Sequence, residues 1–341
     1  MSAFRRVSLQ AGNSFAIAAF VVAGVFGAAT SYASSDQPLF TYKGKPWKTA
    51  DLSPGSQQAA FEVEQEHFEK LKRVADAAVF DMHIAELAKA KNKTPQEIEK
   101  DLIKVKDPSD SEAKSWFEKN KARIPYPFDQ IKGEIKRLIN AEQTQGKRQE
   151  LVNKIKKEGK FSLAVNEPVA PVLQIDTLGY PATGNSKAKV KVVEFADYQC
   201  PHCREAAEVM KKLIPRYRDR VQFVYMDFPI NPSGVSRLVA EGATCAAGQN
   251  KFWEFHDLAF SKQTTLNKDS PVALAKELKL DEKAFDVCMK SGKAAALVEQ
   301  SKQEAERLGV SGTPALYVNG KRQLVAHTEA DMSAMLEKAL K

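Results

Sequence analysis

The sequence predicts a chain in two parts, a mostly α-helical region followed by an α/β domain with a helical insertion. Three observations predict it. Apolar residues recur at spacings of three and four through most of residues 57–157. After residue 188 the period changes to two, and the elements then read β-α-β, a helical stretch, and β-β-α. All four cysteines fall in this second part, none before Cys200. A length of 341 residues suits two domains, and 43% hydrophobic with 28% charged residues allows packed cores in water.

Residues 1–33 read as an export signal. Arg5 and Arg6 form a charged start, residues 15–29 are apolar or small without a charge, and Ser31-Tyr32-Ala33 offers small residues for cleavage. The alternative is an uncleaved membrane anchor, since residues 14–33 are just long enough to span a bilayer. Residues 34–56 look irregular because Pro38, Gly44, Pro46, Pro54 and Gly55 break periodicity. A helix is expected over 57–91, with Phe61, Phe68, Leu71, Ile84 and Leu87 on its apolar side. Thr94-Pro95-Gln96-Glu97 is a capping box with proline at the first helical position. Asp107-Pro108-Ser109-Asp110 starts another helix, and a long one follows Pro127 to about Lys157. We read 34–165 as a helical domain and 166–188 as a linker with a first strand. Residues 189–341 form the α/β domain, with the insertion at about 230–300. There, Val190 to Phe195 and Val221 to Tyr225 are strands, helices occupy 202–215, 236–262, 271–277 and 293–308, and Ala315 to Val318 and Leu324 to Ala326 are short strands before a closing helix.

Charge says little about partners. The formal net charge of +8 falls to +6 when two arginines leave with the signal. Residues 34–170 carry 25 basic and 22 acidic residues, and 171–341 carry 24 and 21, interspersed. Basic runs without interleaved aromatics are solvated helix faces, so no nucleic-acid partner is expected. Four cysteines are far too few for a small disulfide scaffold.

Cys200-Pro201-His202-Cys203 carries the chemistry. It follows a strand and opens a helix, so two intervening residues bring the sulfurs within bonding distance. Unpaired N–H groups and the positive end of the helix dipole stabilise a thiolate at Cys200. His202 can add a positive charge or a donor, and Cys203, one turn in, is the resolving sulfur. A stable thiolate favours the reduced form, which makes the disulfide a good oxidant. Haem attachment would need His where Arg204 stands, and no second pair of ligands completes a zinc site. The histidines at 67, 83, 202, 256 and 327 are scattered. No metal and no cofactor are expected beyond the redox-active Cys200–Cys203 disulfide itself. Of the three pairings open to four cysteines, this leaves Cys245 with Cys288 as a structural bridge, with free thiols or a second redox pair as alternatives.

Phe195-Ala196-Asp197-Tyr198-Gln199-Cys200-Pro201-His202-Cys203 and Gly309-Val310-Ser311-Gly312-Thr313-Pro314-Ala315-Leu316-Tyr317-Val318-Asn319-Gly320 resemble the DsbA-like branch of the thioredoxin superfamily. Cys245 to Leu258 resembles its helical insertion. The resemblance covers about 172–341 and implies an α/β thioredoxin fold with helical insertion, preceded here by the helical domain. It implies a cis Thr313-Pro314 bond facing the active site, where the Thr313 backbone pairs with an extended substrate. It places Glu194 where the family keeps a buried acid that moves protons for the resolving cysteine; a salt bridge at the strand's end is the other reading. Asp110 to Lys121, then Pro127-Phe128 and the long helix, resemble the chaperone domain of SurA- and PrsA-type foldases. No room remains for their isomerase domain, so the helical part is expected to cradle unfolded clients, dimerise, or act as a spacer.

The expected function is that of an exported, periplasmic or otherwise extracytoplasmic thiol–disulfide oxidoreductase. Its Cys200–Cys203 disulfide passes to folding proteins, with a disulfide isomerase or reductase as the close alternative. A holdase chaperone with a secondary redox centre is the non-enzymatic alternative. The expected partners are unfolded or reduced exported proteins, a membrane or soluble redox partner, and a second copy in a homodimer.

Overall fold

The computed structural model describes residues 37–121, 124–159 and 161–341. The export reading of residues 1–33 lies outside the described residues. Among them, no helix is long and apolar enough to cross a membrane.

Within the expected irregular stretch 34–56, the described residues 37–56 are less irregular than their prolines and glycines suggest. Strands β1 (Phe40–Tyr42) and β2 (Lys45–Trp47) form a hairpin. Lys43 and Gly44 both turn with positive φ, the two-residue geometry that matches strand twist. Helix α1 (Pro54–Lys91) is capped by Ser53 and ends at Asn92 in the left-handed region. Helices α2 (Pro95–Leu102) and α3 (Asp110–Asn120) both start with complete capping boxes, Thr94 with Glu97 and Ser109 with Glu112. Helix α4 (Phe128–Glu158) runs back along α1. Phe80, Ile84, Ala88, Ile98 and Val152 form the small core of this part. Arg148 lies 4.0 Å over the Phe80 ring, and Lys156 bridges to Asp76 at 2.6 Å.

The second part is a five-stranded mixed sheet in the order β3-β5-β4-β6-β7. Its strands are β3 (Ala182–Gly184), β4 (Val190–Ala196), β5 (Val221–Asp227), β6 (Ala315–Val318) and β7 (Lys321–Gln323). Strands β4 and β5 are parallel, joined through α5 (Pro201–Tyr217), and the other pairs are antiparallel. Alternation decides the two faces. Val190, Val192, Val221 and Phe223 pack under α5 and α11 (Glu329–Ala339), while Val193, Phe195, Val224 and Met226 meet Ala305 and Leu308. Ala305 belongs to α10 (Lys293–Arg307) and Leu308 follows it.

Strand β7 is three residues earlier than expected. Asn319 and Gly320 turn with φ of 49° and 77°, so the return strand starts at Lys321 and not at Leu324. A side chain at Gly320 would also strike the Leu173 carbonyl, at 2.3 Å. Between β5 and β6 lie α6 (Val235–Ala247), α7 (Phe252–Ser261), α8 (Ser270–Glu277), α9 (Glu282–Lys290) and α10. The expected helix over 236–262 breaks in two because Asn250 adopts a positive φ. Helix α9 carries Cys288, and its N-terminus is capped by Asp281, which accepts from Ala284 N–H at 3.0 Å. Helix α1 reaches this domain through its first turn, where Gly55 and Gly309 meet so closely that a Cβ on Gly309 would lie 2.8 Å from Gly55 Cα.

Candidate active site

Strand β4 ends at Ala196, and Cys200 becomes the N-cap of α5 with φ −78° and ψ 119°. Pro201 takes the first helical position, where its missing N–H costs nothing and the residue before it is held extended. The turn brings Cys200, partly exposed, beside Cys203, wholly buried, and both are unbonded thiols here.

Their environments are opposite. A hydrogen bond from the Cys203 side chain holds the Cys200 thiol down to about 5 against its partial burial, helped by the Thr313 side chain and then by the backbone N–H groups of Cys203 and His202. Burial pushes the Cys203 thiol well up, and the neighbouring Cys200 sulfur adds to this. The Asp197 N–H, at 3.5 Å, and the Thr313 side chain offset part of it. His202 faces Cys200 with its amide, while its exposed ring pairs with Glu205 Oε2 at 3.5 Å. The Thr313-Pro314 bond is cis, and the Thr313 carbonyl accepts from Cys200 Sγ at 3.2 Å. Thus Cys200, Pro201, His202, Cys203, Thr313 and Pro314 come together at one end of the sheet.

Glu194 lies on the face of β4 that also carries Ala196, a core neighbour of Cys203. It is 6% exposed, and burial alone raises its carboxyl to about 7. It lines a cavity of about 260 Å³ between the sheet, α5 and α7, with Met210, Lys211, Tyr225, Trp253 and His256. Cys245 and Cys288 are joined as a disulfide between α6 and α9, with Cα atoms 5.7 Å apart. Among the described residues, no group of His, Cys, Asp or Glu is placed to hold a metal.

Two residues near the site were not read from the sequence. Asp227, at the end of β5, is buried with Oδ1 unpartnered, and burial together with the Asp197 charge raises it to about 8. The available signal was an acid at an inward position of an apolar strand. His327, half-buried in the loop before α11, is lowered by burial and then by the His202 charge, and it feels the Cys200 sulfur. Nothing local to His327 could have announced this, because 127 residues separate it from Cys200.

A family model described as thioredoxin matches residues 176–338. The probable disulfide bond formation protein D of Bacillus anthracis is 32% identical over 151 residues, covering 40% of this chain and 68% of that protein. Its counterpart in Bacillus cereus is 31% identical over 170 residues, covering 46% and 77%. A stretch of 140 residues is 34% identical to the Na(+)/H(+) antiporter NhaA 3 of Salinispora tropica; the match covers 41% of this chain and only 21% of the antiporter. The solved structure of oxidised BdbD from Bacillus subtilis aligns at 26% identity and a TM-score of 0.46, covering 50% of this chain and 98% of that one. With a thioredoxin-type sheet and a Cys-x-x-Cys pair at its helix start, the chain belongs to the thioredoxin-like thiol–disulfide oxidoreductases of the disulfide-bond-formation type.

Proposed function

We propose that the chain is an exported oxidase that introduces disulfides into folding proteins. One observation carries this: Cys200 is a favoured thiolate at about 5 while its partner Cys203 is buried. A stabilised thiolate favours the reduced pair, so the oxidised pair gives up its bond readily.

In the reaction, a client thiolate attacks Cys200 Sγ and the Cys200–Cys203 bond breaks. Cys203 leaves with the electron pair and takes a proton, and the buried Glu194, at about 7 and on the strand face that carries Cys203's neighbour Ala196, is the acid we assign to that transfer. A second client thiolate then attacks the client sulfur of the mixed disulfide, and Cys200 departs as thiolate. Two client thiols have become one disulfide, and the enzyme holds two electrons for its redox partner. Thr313 and Pro314 flank Cys200, where the Thr313 carbonyl can meet an extended client. The Cys245–Cys288 bridge stays out of this traffic because Cys245 is buried in the insertion core.

A redox titration against glutathione tests the direction. An oxidising potential is expected, and a strongly reducing one, near that of a thioredoxin, would overturn the oxidase reading. Activity that survives Cys200→Ser would overturn the mechanism itself.

A second reading concerns α1 and α4. Val63, Val74 and Met82 on α1 and Leu138 on α4 are exposed apolar side chains on long helices, which supports a client-holding role. Suppression of client aggregation by the full chain with both active cysteines replaced would support it. Its absence would reject it.

A further inference from the structure

We infer that Gln263 is a positioning residue for Cys200, acting through the carbonyl of the peptide that joins Cys200 to Pro201. This rests on Cys200 as the attacking sulfur.

Gln263 opens the short 3-10 turn Gln263–Thr265, between α7 and α8, in the inserted helices. It is buried, and its single Nε2 donates to two backbone carbonyls of the active-site loop. These are Cys200 O at 2.8 Å and Tyr198 O at 3.0 Å. The pairing spans more than sixty residues of sequence, so it is a tertiary contact and not a local cap.

The peptide it holds is unusual in what it can offer. Pro201 has no N–H, so the Cys200–Pro201 peptide can be anchored through its carbonyl alone. That carbonyl also accepts the Cys203 and Arg204 N–H groups, at 3.1 and 3.2 Å, and so closes the first turn of α5. The same turn aims the Cys203 and His202 amides at the Cys200 sulfur. Gln263 therefore fixes the plane from which the thiolate donors hang. It also keeps two negative carbonyl ends turned toward its own amide.

The other side of the loop is held from the insertion as well. Asp197 accepts the Ile230 and Asn231 N–H groups at 2.8 and 3.0 Å, and the Ser236 hydroxyl. Gln199 Oε1 accepts from Ser233 Oγ at 2.6 Å. With that side anchored, loss of Gln263 leaves the Cys200 carbonyl to the Cys203 and Arg204 N–H groups alone and removes the Gln263 donor from the Tyr198 carbonyl, without releasing the whole loop. The expected result is a change in the sulfur's electrostatics more than in the fold.

The test uses the full chain with Gln263→Met, which keeps the volume and donates nothing, and follows Cys200 ionisation by ultraviolet thiolate absorbance. The midpoint is expected to rise by about one pH unit, and the glutathione equilibrium to shift several-fold toward the disulfide. A variant that unfolds more easily but keeps both values would show that Gln263 only packs, and would overturn the inference. Gln263→Glu is the second variant should methionine prevent folding. A carboxyl buried against two carbonyl oxygens stays protonated and can donate to one of them, so this variant keeps a donor and the midpoint should stay near that of the unchanged protein; a midpoint that rises as far as is expected of Gln263→Met overturns the inference. Cys200→Ser separates the two claims: a titration that survives this change refutes Cys200 as the thiolate, whatever Gln263 does.

Discussion

Replacing Glu194 by glutamine should stabilise the protein, and only above a defined pH. The carboxyl is buried and raised from 4.5 to about 7, with burial as the sole cause. Below about pH 4 it is protonated in both folded and unfolded chains and costs nothing. Between its two values the unfolded chain loses its proton first, so the folded state binds more protons and stability falls as pH rises. Above about pH 8 both forms are ionised and the full penalty is present. A shift of about 2.5 units at ~1.36 kcal/mol each is about 3 kcal/mol. Glutamine keeps the shape and never ionises, so Glu194→Gln should gain up to about 3 kcal/mol at pH ~8.5 and almost nothing at pH ~4. Urea unfolding of the oxidised protein at both pH values measures it, because a shift caused by burial does not depend on the state of the sulfurs. An equal difference at the two pH values would refute the reasoning. Function is expected to suffer in exchange, through slower release of Cys203 near neutral pH, where the acid holds a transferable proton.

Thiolate absorbance of the reduced protein should titrate with a midpoint of about 5; a midpoint near the ordinary thiol value of 9.0 would refute the turn geometry as its cause. Cysteine-to-alanine changes at both Cys245 and Cys288 should cost about 4 kcal/mol by the loop-entropy estimate for a separation of 43 residues. Urea midpoints measure this, and a loss below about 1 kcal/mol would mean that the unfolded chain is already constrained there.

What could be read from the sequence follows how local each feature is. The capping boxes at Thr94 and Ser109 are complete within four residues, and both helices start where those residues indicate. Cys200 to Cys203 likewise carries its own geometry, since strand end, proline and helix start are contiguous. Strand β7 lies before the apolar Leu324 to Ala326 because the Asn319-Gly320 turn, which sets the register, returns the chain at Lys321. Helix α9 is only weakly marked in the sequence, because Phe285 is its one buried apolar anchor and its other faces are largely open. Asp227, Gln263 and His327 belong to the site only because the sheet and the insertion fold around it. Their approach to Cys200 spans 27 to 127 residues, which no spacing records.

Helix α6 explains why an inert bridge and a reactive pair share one domain. It is buried on nearly every side, and Gly242 lets Phe255 and Pro271 come so close that a Cβ would lie within 3.0 Å of both. Its first turn carries Ser236, which bonds Asp197 and so holds the loop before Cys200. Its last turn carries Cys245, tied to α9 by the disulfide. A rigid helix pinned at both ends transfers the stability of the bridge to the active-site loop. That matters because the same region keeps Glu194 and Asp227 buried without a charge partner, and each weakens the fold as pH rises through its value. In the proposed mechanism Glu194 serves proton transfer, and a salt bridge that neutralised it would remove that use. The bridge offsets a destabilisation that the chemistry itself requires.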